Sequence, residues 1–154
     1  MAKISAEEKH RKKAEFDAHI YDIFINEGWD AVTYERMAKD FGTRKSSIQR
    51  YYGKRLDFGN ALQGKILPII LPLLDFSDKE AFIASWLLAL DNQTFREVNK
   101  LLIENATGSG VGGWQGVNRL LHIMRNTMSD NDADAAITTC LGKTVLFFLA
   151  PTNQ

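Results

Sequence analysis

Residues 24–55 read Phe24-Ile-Asn-Glu-Gly-Trp-Asp-Ala-Val-Thr-Tyr-Glu-Arg-Met-Ala-Lys-Asp-Phe-Gly-Thr-Arg-Lys-Ser-Ser-Ile-Gln-Arg-Tyr-Tyr-Gly-Lys-Arg. Gly28 stops whatever helix precedes it, because a residue without Cβ reverses the chain at little cost. Thr33 reads as the N-cap of a short second helix. Arg36 stands at its third position where Glu would complete a capping box. Met37, Ala38 and Phe41 form the inner face, Gly42 breaks the chain, and a third short helix follows over about 44–51. Two short helices around a glycine turn are the outline of a helix-turn-helix.

The second half of that stretch carries the chemistry. Residues 43–55 hold five basic side chains (Arg44, Lys45, Arg50, Lys54 and Arg55) and no acidic one. Hydroxyl, amide and aromatic groups lie between them. Lys and Arg neutralise phosphates, Ser and Tyr hydroxyls bond phosphate oxygens, and Gln or Arg reaches base edges in the major groove. Ile48 faces inward, which leaves Lys45, Ser46, Gln49 and Arg50 outward. Taken alone, the run reads equally as a solvated basic face.

Working outward, the pattern stays helical and no alternating strand pattern appears. A first helix over 6–27 is opened by Ser5, with Glu8 at the capping-box spacing, and buries Phe16, Ile20, Ile23 and Phe24. A longer helix over 55–74 is expected to kink or end early at Pro68 and Pro72. Ser77 or Asp78 caps a helix over 79–91, and another spans 93–105. Residues 107–113 hold four glycines and read as a flexible loop. That loop has neither a preceding strand nor the Gly-Lys-Ser/Thr ending of a phosphate cradle. Helices over 113–128 and 132–149 complete the chain, joined by Ser129-Asp-Asn-Asp. The last is so apolar around Ile137, Leu141, Val145, Phe148 and Leu149 that something must cover it.

The order of residues in 24–55 resembles the N-terminal domain of the TetR/AcrR repressors. The places that carry the resemblance are Phe24, Gly28-Trp29, Thr33, Met37-Ala38, Gly42, Lys45, Ile48, Tyr51-Tyr52 and Arg55, matched without a gap over about residues 10–60. It implies an all-α protein. An N-terminal three-helix DNA-binding domain with a helix-turn-helix (1–54) is followed by a short helical ligand-binding and dimerisation domain (55–154). Residue by residue it implies that Thr33 caps the second helix and meets phosphate, Lys45 meets the backbone at the start of the recognition helix, Tyr51 touches phosphate and Arg55 binds it. Gln49 stands where the family often has Tyr, so it contacts phosphate or a base. Ile48 and Tyr52 are packing residues. Arg44 occupies the place of a frequent capping Ser, so Thr43 is expected to cap instead, and Ser46 replaces a frequent Gly. The DNA-contacting set is therefore Thr33, Thr43, Arg44, Lys45, Ser46, Ser47, Gln49, Arg50, Tyr51, Lys54 and Arg55.

The implied partners are double-stranded operator DNA, a second copy of the chain through the C-terminal helices, and a small-molecule inducer that releases the repressor. The alternative is control by a protein partner, motivated by the short second domain and the glycine loop. Phe82, Trp86, Phe95, Trp114 and His122 are candidate ligand contacts, although the spacing of Phe82 and Trp86 is more often that of a simple core and His122 reads as an interior residue. Lys9, Arg11, Lys12 and Lys13 form a second basic cluster, either an arm that reaches DNA or a frayed terminus.

Bulk properties fit this reading. The net charge is zero, but residues 1–65 hold 13 Lys/Arg against 10 Asp/Glu and residues 66–154 hold 6 against 9, so the basic excess lies with the DNA-binding half. No run reaches the roughly 18 apolar residues of a membrane span, and the polar start lacks a secretory core, so no membrane is involved and a cytoplasmic setting is expected. Cys140 is the single cysteine, read as a small buried apolar residue. The three histidines lack metal-ligand spacing and no nucleophile motif is present, so an enzyme is not expected, nor a cofactor.

Overall fold

In the computed structural model, which describes residues 4–108 and 112–151, every regular element is helical. Helix α1, Ala6–Glu27, begins where Ser5 Oγ accepts the Glu8 amide N–H at 3.1 Å, and Glu7 and Glu8 complement the helix dipole in its first turn. It ends at Gly28, whose N–H bonds the Phe24 carbonyl at 3.0 Å. The basic residues 9–13 lie inside this helix. Helix α2, Tyr34–Phe41, is capped by Thr33, whose hydroxyl accepts the Arg36 amide at 3.0 Å. Gly42, at φ 61°, turns the chain left-handed, and the short α3, Lys45–Gln49, follows. Arg44 takes the cap position of α3 without a side-chain cap bond, so the capping expected from Thr43 does not form.

The long helix expected over 55–74 is absent. A 3-10 helix, Arg55–Leu62, gives way to a turn at Gly64 (φ 78°), then to α4, Leu67–Ile70, and a 3-10 turn, Leu71–Leu73. Pro68 and Pro72 each sit in the first turn of one of these short pieces. There their missing N–H groups would have no intrahelical partner anyway. The prolines start two short elements rather than kinking one long one.

Helix α5, Lys79–Ala89, is capped by Asp78 and α6, Gln93–Thr107, by Asn92. Helix α7 spans Gly112–Met124, so Gly112 and Gly113 are helical; of the expected glycine loop, residues 109–111 lie outside the described residues. Helix α8, Asp130–Leu149, begins two residues earlier than expected, because Ser129 Oγ accepts the Asp132 amide at 3.1 Å and so makes the supposed connector its first turn.

Two apolar clusters organise these elements. One joins α1, α2, α3 and the 3-10 helix around Phe16, Ile20, Trp29, Met37, Ile48, Tyr52 and Phe58, and Leu101 of α6 enters it from the other half. The second joins α5, α6, α7 and α8 around Phe82, Trp86, Phe95, Met124 and Cys140. Ile66 and Val98 pack against both. Within the second cluster α5 lies along α8, and the Trp86 indole N–H donates to the Thr144 hydroxyl at 2.8 Å, itself bonded to the Cys140 carbonyl. Both partners are buried, so both polar groups are satisfied where leaving one unpaired would cost about 1–3 kcal/mol.

Gly28 is the closest meeting of the halves. Its φ is 93°, and a Cβ there would stand 2.5 Å from Glu97 Oε1. Glu97 also accepts the Trp29 amide and pairs with Lys100, so it cannot move aside without loss. Gly28→Ala is expected to lower stability by about 1–3 kcal/mol in urea unfolding. A change below about 0.5 kcal/mol, the scatter of ordinary surface substitutions, would contradict this packing.

Candidate nucleic-acid interface

The inner face of α2 and α3 is fixed by three buried side chains. Met37, Ile48 and Tyr52 are each almost fully enclosed. Tyr52 donates its hydroxyl to Asp17 of α1, and burial followed by that carboxylate pushes its pKa far above the usual phenol value. Its backbone carbonyl accepts the Tyr34 hydroxyl at 2.7 Å. With α3 held from beneath, Arg44, Lys45, Ser46, Gln49 and Arg50 are exposed together on its outer side, Thr43 is exposed beside them, and Ser47 is half-buried. Lys54 is exposed just beyond.

Lys45 Nζ lies 2.8 Å from Glu35 Oε1, and that bond holds the Glu35 carboxyl below its ordinary value. Both side chains are exposed, and such pairs hold weakly, so a phosphate can displace the glutamate. Tyr51 is half-buried, its ring edge-on to Phe16 at 5.0 Å. Lys9 Nζ stands 5.9 Å from the Tyr51 ring centre and Lys13 Nζ 5.2 Å from that of Tyr52. The second basic cluster is thus carried on α1 to the side of α3, rather than on a frayed end.

Arg55 goes elsewhere. Its guanidinium lies on the Trp29 ring at 4.3 Å, donates to the Trp29 carbonyl at 2.7 Å and the Val32 carbonyl at 3.1 Å, and reaches both Glu104 carboxylate oxygens at 3.0 Å. The side chain expected to bind phosphate is thus engaged by partners within the protein. Trp29 also donates its indole N–H to Glu104, while Lys100 bridges Asp30 and Glu97. The segment 28–32 is thereby fastened to one face of α6.

The candidate ligand contacts separate. Trp86 and Phe95, edge-on at 4.9 Å, border a cavity of about 170 Å³. Phe82 is core, packed between Phe76 and Trp86. Trp114 is 68% exposed and His122, expected inside, is exposed beside Arg119 and Arg125, so neither lines that cavity. The cavity lies instead between residues 56–70, α6 and the start of α7, and includes Asn99 and Asn105, which sequence reasoning missed. A signal was present: Asn99 follows Phe95 by four residues and precedes Leu102 by three, a polar residue in an apolar stripe. Cys140 is a core thiol pushed up to about 12 by burial.

Residues 63–148, more than half of the chain, match the family described as the tetracycline repressor LuxT C-terminal domain. The chain belongs to the TetR family. It is accordingly a TetR-like transcriptional regulator, and the matched region begins just after the 3-10 helix. No curated protein matches the chain in sequence. Among the described residues no helix is long and apolar enough to cross a membrane, and no group of three or more His, Cys, Asp or Glu is placed to hold a metal ion. The TetR-type assignment bears directly on the exposed face of α3, which the family match itself does not cover.

The apolar seating of α2 on α1 is edged by ion pairs. Arg36 spans Glu27 at 2.6 Å and Asp40 at 2.7 Å, and His19 Nε2 meets Asp40 at 2.7 Å. The bonds from His19 and Arg36 hold the Asp40 carboxyl below its ordinary 3.8, and Arg36 does the same for Glu27 below 4.5. A depressed carboxyl contributes stability above its unfolded pKa and loses it as pH falls through the lower native value. The midpoint of urea unfolding is expected to fall between about pH 5 and pH 2, and to fall less steeply in Asp40→Asn. An identical acid slope in the variant would remove Asp40 from this linkage.

Proposed function

We propose that this TetR-family regulator is a homodimeric repressor that reads operator DNA with α3 and is released when a small molecule enters its second half. The observation that carries the DNA reading is the exposed row Arg44, Lys45, Ser46, Gln49 and Arg50 over an inner face closed by Ile48 and Tyr52. In the major groove, Gln49 and Arg50 reach base edges. Thr33, Thr43, Arg44, Lys45, Ser46, Ser47, Tyr51 and Lys54 serve the phosphates, and Lys9 and Lys13 flank them. Arg55 is assigned to holding the head rather than the DNA.

Dimerisation is supported by an apolar strip without cover in one chain. Leu146 and Leu149 of α8 are 66% and 73% exposed, with Val145 and Phe147 beside them, and Leu88 of α5 is 72% exposed. A second copy buries such a strip by two-fold pairing and sets two α3 helices one DNA turn apart, about 34–36 Å. The units proposed, 1–54 for DNA and 55–154 for regulation and dimerisation, meet at the 3-10 helix, whose Phe58, Ala61 and Leu62 enter the first cluster.

Release follows from α6. One side carries Glu97, Lys100 and Glu104 against segment 28–32 and Arg55, and the other lines the cavity through Asn99, Leu102 and Asn105. A molecule that fits the cavity only when α6 has shifted favours a state in which the heads no longer match successive grooves. The missing long helix over 55–74 makes α6, not a continuous fourth helix, the rigid connection.

The test is binding to a fluorescent fragment of the upstream region across a salt series, against scrambled competitor. Lys45→Ala with Tyr51→Ala is expected to leave the dimer folded, weaken binding at least tenfold and flatten the salt dependence by about one contact, that of Lys45. Unchanged affinity and slope in that double variant would remove α3 from the DNA interface.

A further inference from the structure

The cavity has a one-sided polarity. Most of its enclosed wall is apolar, from Leu62, Ile70, Trp86, Phe95, Leu101 and Leu120. Two polar side chains in the wall are themselves enclosed, Asn99 at 1% and Asn105 at 9% exposure. One N–H of each amide donates within α6, at 2.9 Å to the carbonyl four residues earlier, Phe95 for Asn99 and Leu101 for Asn105. Neither amide oxygen accepts a hydrogen bond from the described residues. No fully enclosed side-chain oxygen or nitrogen among them lacks a partner, so these two oxygens keep open surface on the cavity that both residues line. The one other buried donor in the wall, the Trp86 indole N–H, is committed to Thr144. The enclosed wall therefore presents two unpaired acceptors, the Asn99 and Asn105 amide oxygens.

The charged lining residues are Lys54, Asp57 and Arg119, of which Lys54 and Arg119 are exposed and Asp57 is half-buried. A charged molecule would find no enclosed counter-charge, and an unpaired charge is costly to bury. The volume, about 170 Å³, is close to the ~150 Å³ of an apolar cavity that admits benzene.

We infer that this cavity takes a neutral, largely apolar molecule the size of one substituted ring, presenting an O–H or N–H donor to the Asn99 and Asn105 amide oxygens. The inference deepens the ligand-release reading and rests on it for its regulatory meaning. Its chemistry stands on the cavity alone. A buried acceptor left unpaired is penalised, so the site discriminates by donor content more than by shape.

Phenol, toluene and benzoate, titrated into the full-length DNA-free protein by ligand-observed NMR and calorimetry, test it. Phenol is expected to bind at least tenfold tighter than toluene, and benzoate not measurably. Asn99→Leu, which keeps the branched shape and heavy-atom count and removes the acceptor, is expected to bring phenol to the toluene level while toluene stays within about threefold. Asn105→Leu provides the same comparison should Asn99→Leu not fold, and the three-probe ranking in the unaltered protein needs no variant. Equal binding of phenol and toluene, preference for benzoate, or no binding of any probe would each overturn the inference. A donor-dependent ranking supports it, including when operator affinity is unchanged by saturating phenol. That combination counts against ligand release alone.

Discussion

The Arg55 guanidinium holds three parts of the chain at once. It lies on the Trp29 ring, bonds the carbonyls of Trp29 and Val32, and meets the Glu104 carboxylate. The two carbonyls belong to the bend between α1 and α2, and the carboxylate to α6, so one side chain joins the N-terminal half to the second half. Arginine suits the task because its planar fork of donors serves several acceptors at fixed angles while its face stacks on an aromatic ring. Arg55 and Glu104 are about a third and two-fifths exposed, and their attraction by itself is modest in such surroundings. What makes the junction stiff is the sum of charge, backbone acceptors and ring, together with Glu97 and Lys100 one turn away on the same helix.

This fastening gives α6 two working sides. The side with Glu97, Lys100 and Glu104 decides where segment 28–32 rests, and through Gly28 and Thr33 it decides how α1 and α2 are aimed. The side with Asn99, Leu102 and Asn105 decides the shape of the cavity. A helix is stiff along its axis, so the two sides move together. The broken stretch from Arg55 to Leu73 carries less of that load, since glycine and proline divide it into short pieces. The open cavity and the shared helix together give the physical content of the proposed response to a ligand: enclosed acceptors that want a donor, on an element that also grips the head.

Much of this was legible in the sequence where the determinant is local. Ser5 and Thr33 cap helices through an amide three residues on, and the bounds of α1 and the glycine turn before α3 follow from such near neighbours. The outward set on α3 was readable because Ile48 alone fixes which way that helix faces. The fate of Arg55 was not, because the acid that takes it stands 49 residues away, and nothing near Arg55 announces Glu104. The cavity was equally hidden, since it arises from how residues 56–70, α6 and α7 meet. Phe82, Trp114 and His122 were candidates by residue type alone, and neither type nor spacing on one helix says which neighbour covers which face.

The most direct test of the account separates the two arginine roles it assigns. Operator affinity measured over a salt series for Arg55→Met, alongside its unfolding midpoint in urea, does this in one comparison. A residue that holds the head is expected to lower the midpoint and leave the slope of log affinity against log salt unchanged. A residue that binds phosphate removes about 0.9 from that slope at unchanged stability, and that result would contradict the assignment of Arg55 to the junction with α6.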